Sequence, residues 1–197
     1  MEAQLGTILI TGAAGRVGRA ITEHWSDRDL VLLDREQGDL TERAAAWEDR
    51  FAGVNTVVHL AADPDPESAF ESAAASNLAA TINVLRACLG YRVTRVVYAS
   101  SVWADYEKWR LSDRMTWYAA SKQCGEALVH AWAAQASRPA VCLRIGGFDP
   151  SIPPAQASFE TLRVDAAALG FHFDEALAWN EPRCTTRYAT GRLGSAG

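Results

Sequence analysis

No apolar run in this chain of 197 residues approaches the ~20 consecutive residues that a membrane-spanning helix needs, so no membrane association is expected. The opening residues, Met1-Glu2-Ala3-Gln4-Leu5-Gly6, lack a basic cluster ahead of an apolar stretch, and no secretory signal is read there. Basic residues are in deficit, nineteen Lys and Arg against twenty-four Asp and Glu, for a formal charge of −5. That balance supplies no positive field for a phosphate backbone, which argues against nucleic acid as a partner. Cysteine and histidine are scarce, four of each. Cys88, Cys124, Cys142 and Cys184 form no C-x-x-C pair, and the histidines show no metal-ligand spacing. Scattered thiols of this kind suit a reducing compartment, so a cytoplasmic location and no metal are expected. Internal repeats and low-complexity blocks are absent as well. What remains is a chain 49% hydrophobic and 22% charged, enough for one domain with a substantial core.

Short β-branched runs alternate with longer helical stretches. Thr7–Ile10, Asp29–Leu33, Thr56–Leu60, Val93–Tyr98 and Ala140–Ile145 read as strands apolar on both faces, as in a parallel sheet covered on both sides. Gly38-Asp39-Leu40 is a further short strand or the end of one. Val17, Ala20, Ile21 and Trp25 recur at helical spacing, and Phe70, Ala74, Leu78, Ile82, Leu85 and Leu89 form a longer stripe. A third helix is expected to begin near Thr116. The alternation predicts an α/β protein with a doubly wound parallel sheet and helices on both faces. Phe159, Leu162, Ala166 and Leu169 suit one more amphipathic helix. From Thr185 to Gly197 periodicity fades, and the sequence reads as a disordered tail.

The first strand runs into Thr11-Gly12-Ala13-Ala14-Gly15-Arg16-Val17-Gly18, with a helix following. Gly12 permits a tight turn, Gly15 lets backbone approach a pyrophosphate, and Gly18 allows close helix–strand contact. The spacing is G-x-x-G-x-x-G rather than G-x-G-x-x-G, so the strand–loop–helix order carries the reading. Asp34 ends the second strand, where a carboxylate accepts ribose hydroxyls and repels a 2′-phosphate. That favours NAD over NADP, although the adjacent Arg35 can admit a phosphate and a solvated strand-end Asp is the plainer alternative. Asp39 is placed to meet the adenine amino group, or equally to cap a turn near Thr41.

The fourth strand leads into Ala99-Ser100-Ser101, and Tyr118 and Lys122 share a helix face at i and i+4. An ammonium beside a phenol lowers its pKa from about 10. A phenol so tuned takes a proton from a hydroxyl while hydride leaves the same carbon. His59 reads as a buried, hydrogen-bonded histidine rather than a catalytic one.

The ordered set of Thr11 to Gly18, Leu60-Ala61-Ala62, Asn77 with Thr81-Ile82-Asn83-Val84-Leu85, Ala99-Ser100-Ser101 and Tyr118 to Lys122 resembles the extended short-chain dehydrogenase/reductase family. These are NAD-dependent sugar epimerases and dehydratases. The Ser121 to Glu126 run and Leu143-Arg144-Ile145-Gly146 are most similar to uronate dehydrogenases. The resemblance covers residues 5 to 150 and implies a Rossmann-like fold. It implies Tyr118 as acid/base, Lys122 as the group that tunes it and binds nicotinamide ribose, and Ser101 as the residue that orients substrate. Gly12, Gly15, Arg16, Val17, Gly18, Asp34, Asp39, Leu40, Leu60, Ala61, Ala62, Asn77 and Ile145 would contact NAD with Tyr118 and Lys122. For Asn77, a place on the solvated helix face stands as the alternative. The implied activity is hydride transfer at a sugar hydroxyl, on a uronate or nucleotide sugar, by oxidation or epimerisation/dehydration. The domain plan is residues 1–150 for NAD and catalysis, 151–184 as a shortened lobe, and 185–197 as the tail.

Departures from the family accompany this. Ser101 and Tyr118 lie closer together than usual, Val102 replaces a substrate-binding asparagine of uronate dehydrogenases, and the C-terminal lobe is short. A non-catalytic NAD-binding protein is therefore the rival reading. The helices around Ser68–Gly90 and Thr116–Ala136 occupy positions that family dimers use for a four-helix interface, which leaves a homodimer open.

Overall fold

The computed structural model describes residues 6–43, 46–149 and 162–191. Six strands form one parallel sheet: β1 (Ile8–Thr11), β2 (Leu30–Leu33), β3 (Thr56–His59), β4 (Arg95–Ser101), β5 (Ala140–Ile145) and β6 (Cys184–Ala189), ordered β2-β1-β3-β4-β5-β6. β1, β3 and β4 are buried along their whole length, as strands covered on both faces require. β1 pairs with β2 on one side and β3 on the other. The winding therefore reverses beside β1, and a crevice opens at the carboxyl ends of β1 and β3, where such sheets bind ligands.

On one face lie α1 (Arg16–His24) and α6 (Ala166–Ala178), packing Ile21, Trp25, Leu169 and Phe173 against Ile8, Ile10, Val97 and Val141. Asp174 joins the two helices, accepting from Trp25 Nε1 at 2.8 Å and Arg28 at 2.8 Å. The opposite face carries α2 (Phe70–Ser72), a π-helical segment Ala73–Ala79, α3 (Ala80–Gly90) and α5 (Trp117–Ala136), over a core that includes Trp47, Phe51, Val57, Val96 and Cys142. The short α4 (Tyr106–Trp109) follows β4. α5 starts where the sequence predicts, with Thr116 Oγ1 capping the Ala119 N–H at 3.2 Å.

Four expectations change. Gly38-Asp39-Leu40 is not a strand. It is a loop held against α3 by Asn83, whose Nδ2 donates to the carbonyls of Leu40 at 2.9 Å and Thr41 at 3.1 Å. Thr185 to Ala189 is not a tail but part of β6, paired in register with β5 from Ala140↔Cys184 to Ile145↔Ala189. Its half-exposed, partly polar Cys-Thr-Thr-Arg-Tyr-Ala run is that of a sheet edge and lacks the apolar pattern of a central strand. The last helix begins at Ala166 behind an Asp165 cap that accepts from the Ala168 N–H at 2.7 Å. Leu162 precedes it, and Phe159 lies outside the described residues, as do 192–197 of the expected tail. Finally, of the stripe Phe70, Ala74, Leu78, Ile82, Leu85 and Leu89 only Leu85 is buried in the core. Ala73, Asn77, Ala80, Thr81, Val84 and Cys88 face the sheet, whereas Phe70 is 53% and Ile82 50% exposed. The packed positions lie one residue ahead of the stripe throughout, Ala73 and Asn77 within the π segment and Thr81, Val84 and Cys88 after it.

Candidate active site

A cleft of about 520 Å³ opens at the carboxyl ends of β1, β3, β4 and β5. Gly12, Gly15, Arg16, Val17 and Gly18 line it on one side, Leu60 and Ala62 behind them, and Ser101, Tyr118, Lys122 and Ile145 on the other. Gly12 has φ +70°, and a Cβ there would stand 2.7 Å from the Ala61 nitrogen. A Cβ on Gly18 would run into the carbonyls of Gly12 and Ala13. Both positions thus admit only glycine, and the loop stays shallow enough for a pyrophosphate to sit against the start of α1. Thr11 fixes the neighbouring loop: its Oγ1 accepts from the Leu60 N–H at 3.2 Å and the Ala61 N–H at 3.3 Å.

Asp34 borders a second hollow beside the first, with Ala13, Ala14 and Arg35. One carboxylate oxygen accepts from the Ala14 N–H at 2.7 Å, the other from the Arg35 N–H at 2.8 Å. The carboxylate is therefore fixed at the end of β2 next to the glycine loop. The cradle and this carboxylate fit the pyrophosphate and adenosine ribose of a dinucleotide.

Asp39 and Leu40 border neither hollow. Asp39 accepts from the Thr41 N–H at 2.8 Å, which lowers its pKa, so it holds a turn. Leu40 is packed in the core. Asn77 is not on a solvated face. It is 1% exposed, with Oδ1 accepting from the Asp63 N–H at 2.7 Å and Nδ2 donating to Ser121 Oγ at 2.9 Å. It ties the loop after β3 to α5 one turn from Tyr118 and acts on the cleft through that loop.

Tyr118 and Lys122 are 7% and 4% exposed. Lys122 Nζ donates to the Ala99 carbonyl at 2.9 Å and lies 5.7 Å from the Tyr118 ring centroid. Burial pushes the Lys122 ammonium down to about 8, against the pull of Glu126. The expected depression of the Tyr118 pKa is not what the free chain has. Burial raises the phenol above its ordinary value and Asp63 adds to this, while a hydrogen bond with Ser101 opposes it. The lysine sits over the ring and spends a donor on the Ala99 carbonyl, so its charge does not offset the desolvation of the hydroxyl. Of the two serines, Ser101 partners Tyr118, while Ser100 Oγ donates to Glu126 Oε1 at 2.6 Å.

Several contributors escaped the sequence reading. Glu126 receives Arg144 through Nε and an Nη, both at 2.8 Å, and Arg144 also reaches Asp105 at 3.1 Å. This brace stands behind Ser100 and is built from helix, strand and loop with no shared motif. Arg16 pairs with Asp149 at 2.7 Å across the cleft mouth. Phe148 and Arg163 also line the cleft, as does Trp103 of the aromatic-rich loop between Ser101 and Tyr118. Trp117 does not: it is exposed and packs edge-on against Phe70, with centroids 5.0 Å apart.

His59 is buried between two threonines, with Nδ1 2.7 Å from Thr11 Oγ1 and Nε2 3.0 Å from Thr81 Oγ1. Thr81 Oγ1 gives its proton to the Asn77 carbonyl at 2.6 Å, so Nε2 carries the imidazole proton and Nδ1 accepts from Thr11. Burial, with Lys122 nearby, depresses its pKa to about 3. It is a neutral strut, as expected.

Residues 8–147 match the model of the NAD dependent epimerase/dehydratase family. An L-arabinose 1-dehydrogenase (NAD(P)(+)) of Haloferax volcanii is 33% identical over 177 residues, an alignment covering 72% of this chain and 67% of that protein. Among solved structures, a glucuronic acid dehydrogenase from Chromohalobacter salexigens has a TM-score of 0.80 at 22% identity, covering 95% of this chain and 77% of that one. MoeE5 in complex with UDP-glucuronic acid and NAD has a TM-score of 0.75 at 24% identity, covering 94% and 76%. Among the described residues no helix is long and apolar enough to cross a membrane.

Proposed function

The chain belongs to the NAD-dependent epimerase/dehydratase family, and from that premise we propose that it is an oxidoreductase acting at a sugar hydroxyl, with a uronate or nucleotide sugar as substrate. The observation that carries this reading is the convergence of Ser101, Tyr118 and Lys122 on the cleft that the glycine loop borders. Gly12, Gly15 and Gly18 would hold the pyrophosphate and Asp34 the adenosine ribose, with NAD preferred to NADP. Bound NAD supplies the hydride acceptor. Ser101 Oγ orients the substrate hydroxyl and Tyr118 Oη takes its proton as the carbon is oxidised. Lys122 would hold the nicotinamide side of the cleft, and the phenol, its pKa raised by burial, must give its proton to solvent before it can take one from the sugar. Arg144 and Glu126 keep β4 and β5 in place beneath these groups. The complete Ser-Tyr-Lys set favours an enzyme over a non-catalytic NAD-binding protein.

The exposed ridge of Phe70, Ile82 and Leu89, with Trp117 beside it, supports a homodimer through α3 and α5, because apolar area of this kind is normally covered. The activity is tested by incubating the protein with NAD and a panel of uronates, aldoses and nucleotide sugars and following NADH absorbance. NADH formation with one sugar class is expected. NAD binding without turnover of any sugar would contradict the enzymatic reading.

A further inference from the structure

His130, Cys142 and Cys184 are far apart in sequence and show no ligand spacing, yet one ligand atom from each lies within 4.8 Å of the other two. Three elements bring them together. Cys142 projects from β5 on the α5 side, Cys184 opens β6 beside it, and His130 comes down from α5. Cys142 is fully buried, Cys184 is half-buried and His130 is exposed. The cluster therefore has a closed thiol floor and an open imidazole rim. It belongs to no part of the cleft: His130 lies eight positions past Lys122 on α5, about 12 Å along the axis at ~1.5 Å per residue.

The two sulfurs are 3.6 Å apart. Tetrahedral zinc with Zn–S bonds of about 2.3 Å places its thiolates about 3.8 Å from each other, whereas a disulfide requires about 2.05 Å. The pair thus stands close to the edge of a coordination tetrahedron and well short of a covalent bond. Two thiolates and an imidazole form a soft donor set suited to zinc and poorly suited to calcium or magnesium. We propose that His130, Cys142 and Cys184 bind one zinc ion through two thiolates and one imidazole, with the fourth position open to water. In binding, each thiol gives its proton to solvent and forms one S–Zn bond, so two protons leave, no electrons are transferred, and the two thiolate charges balance the dication. Because two protons leave on binding, affinity should fall as pH falls. The ion would fasten the edge strand β6 to β5 and α5, giving a structural role apart from the reaction.

The test is cobalt(II) titration of the full chain after reduction and chelator treatment. One equivalent should produce sulfur-to-cobalt charge-transfer bands and the visible bands of a tetrahedral site, and zinc should displace both. Cys184→Ser should abolish the charge-transfer band of a bis-thiolate site, and Cys124→Ser should leave the spectrum unchanged. His130→Ala, at an exposed position that folding tolerates, should weaken binding by at least the ~10–100-fold that loss of a mere supporting partner costs a metal site. Absence of charge-transfer bands in the folded, reduced protein would overturn the proposal. So would a spectrum insensitive to both His130→Ala and Cys184→Ser, or cobalt bound only after Cys124 is engaged. If the reduced protein ignores cobalt while oxidation links Cys142 to Cys184, the pair is a redox couple and the metal site is wrong.

Discussion

At the scale of single residues, the cleft depends on atoms whose removal or addition has a calculable consequence. A Cβ on Gly15 would already stand 3.1 Å from the Gly12 carbonyl, so Gly15→Val should press branched carbon into the space a pyrophosphate needs. NAD affinity, measured by calorimetric titration, should fall at least tenfold, roughly the effect of losing 1.4 kcal/mol, while the far-ultraviolet spectrum stays that of the parent. Asp34 is held by two backbone N–H groups and offers a fixed negative charge to a 2′-phosphate. NAD should bind more tightly than NADP, and Asp34→Ala should narrow the gap; tighter NADP binding by the parent would contradict the assignment. These residues were legible in the sequence because Asp34 follows an apolar strand directly and Gly15 lies in the loop between an apolar strand and the start of α1. For Asp39 the turn at Thr41, one of the two readings the sequence left open, is the one the structure shows; Leu40 was not legible, because a buried asparagine 43 positions on draws that loop into the core, and no local pattern announces such a bond.

At the scale of elements, β3 and its neighbours are locked by the Thr11–His59–Thr81 chain of hydrogen bonds. Burial depresses the His59 pKa to about 3, below its unfolded value near 6.5. Between these values the unfolded chain binds more protons than the folded one, so this contribution to stability is present above pH 6.5 and is lost as pH falls toward 3. The unfolding free energy from urea titration should drop on acidification, by up to about 1.4 kcal/mol per pH unit from this one group, and His59→Gln should flatten that dependence. An identical slope in the variant would remove His59 from the account. The strand–helix alternation was readable because central strands are uniformly apolar and helices are not. The edge strand β6 was unreadable because five of its six residues are partly exposed, and the π segment was unreadable because it has no compositional mark.

At the scale of the whole molecule, one face of the sheet carries an apolar ridge that helical periodicity mistook for core. Trp117 is 57% and Phe70 53% exposed, and both stand at the end of the ridge nearest the cleft. If the ridge joins two copies, Ile82→Glu should shift sedimentation from dimer to monomer without lowering NAD affinity. A parent that sediments as a monomer at all concentrations would contradict the interface. The catalytic set was legible at this scale because order along the chain, glycine loop then serine strand then Tyr-x-x-x-Lys helix, mirrors order across the sheet. The Glu126–Arg144 brace joins α5 to β5 and the His130–Cys142–Cys184 cluster joins α5, β5 and β6, and neither shows a local spacing in the sequence.

The central claim is that Tyr118 exchanges the proton of a sugar hydroxyl. With the sugar found by the NADH screen, the decisive measurement is kcat for the parent and for Tyr118→Phe, with the NAD dissociation constant of each. Turnover should fall by about 10²–10⁴ while NAD affinity and thermal unfolding stay near those of the parent. A Tyr118→Phe variant that oxidises the sugar at the parent rate would contradict the mechanism.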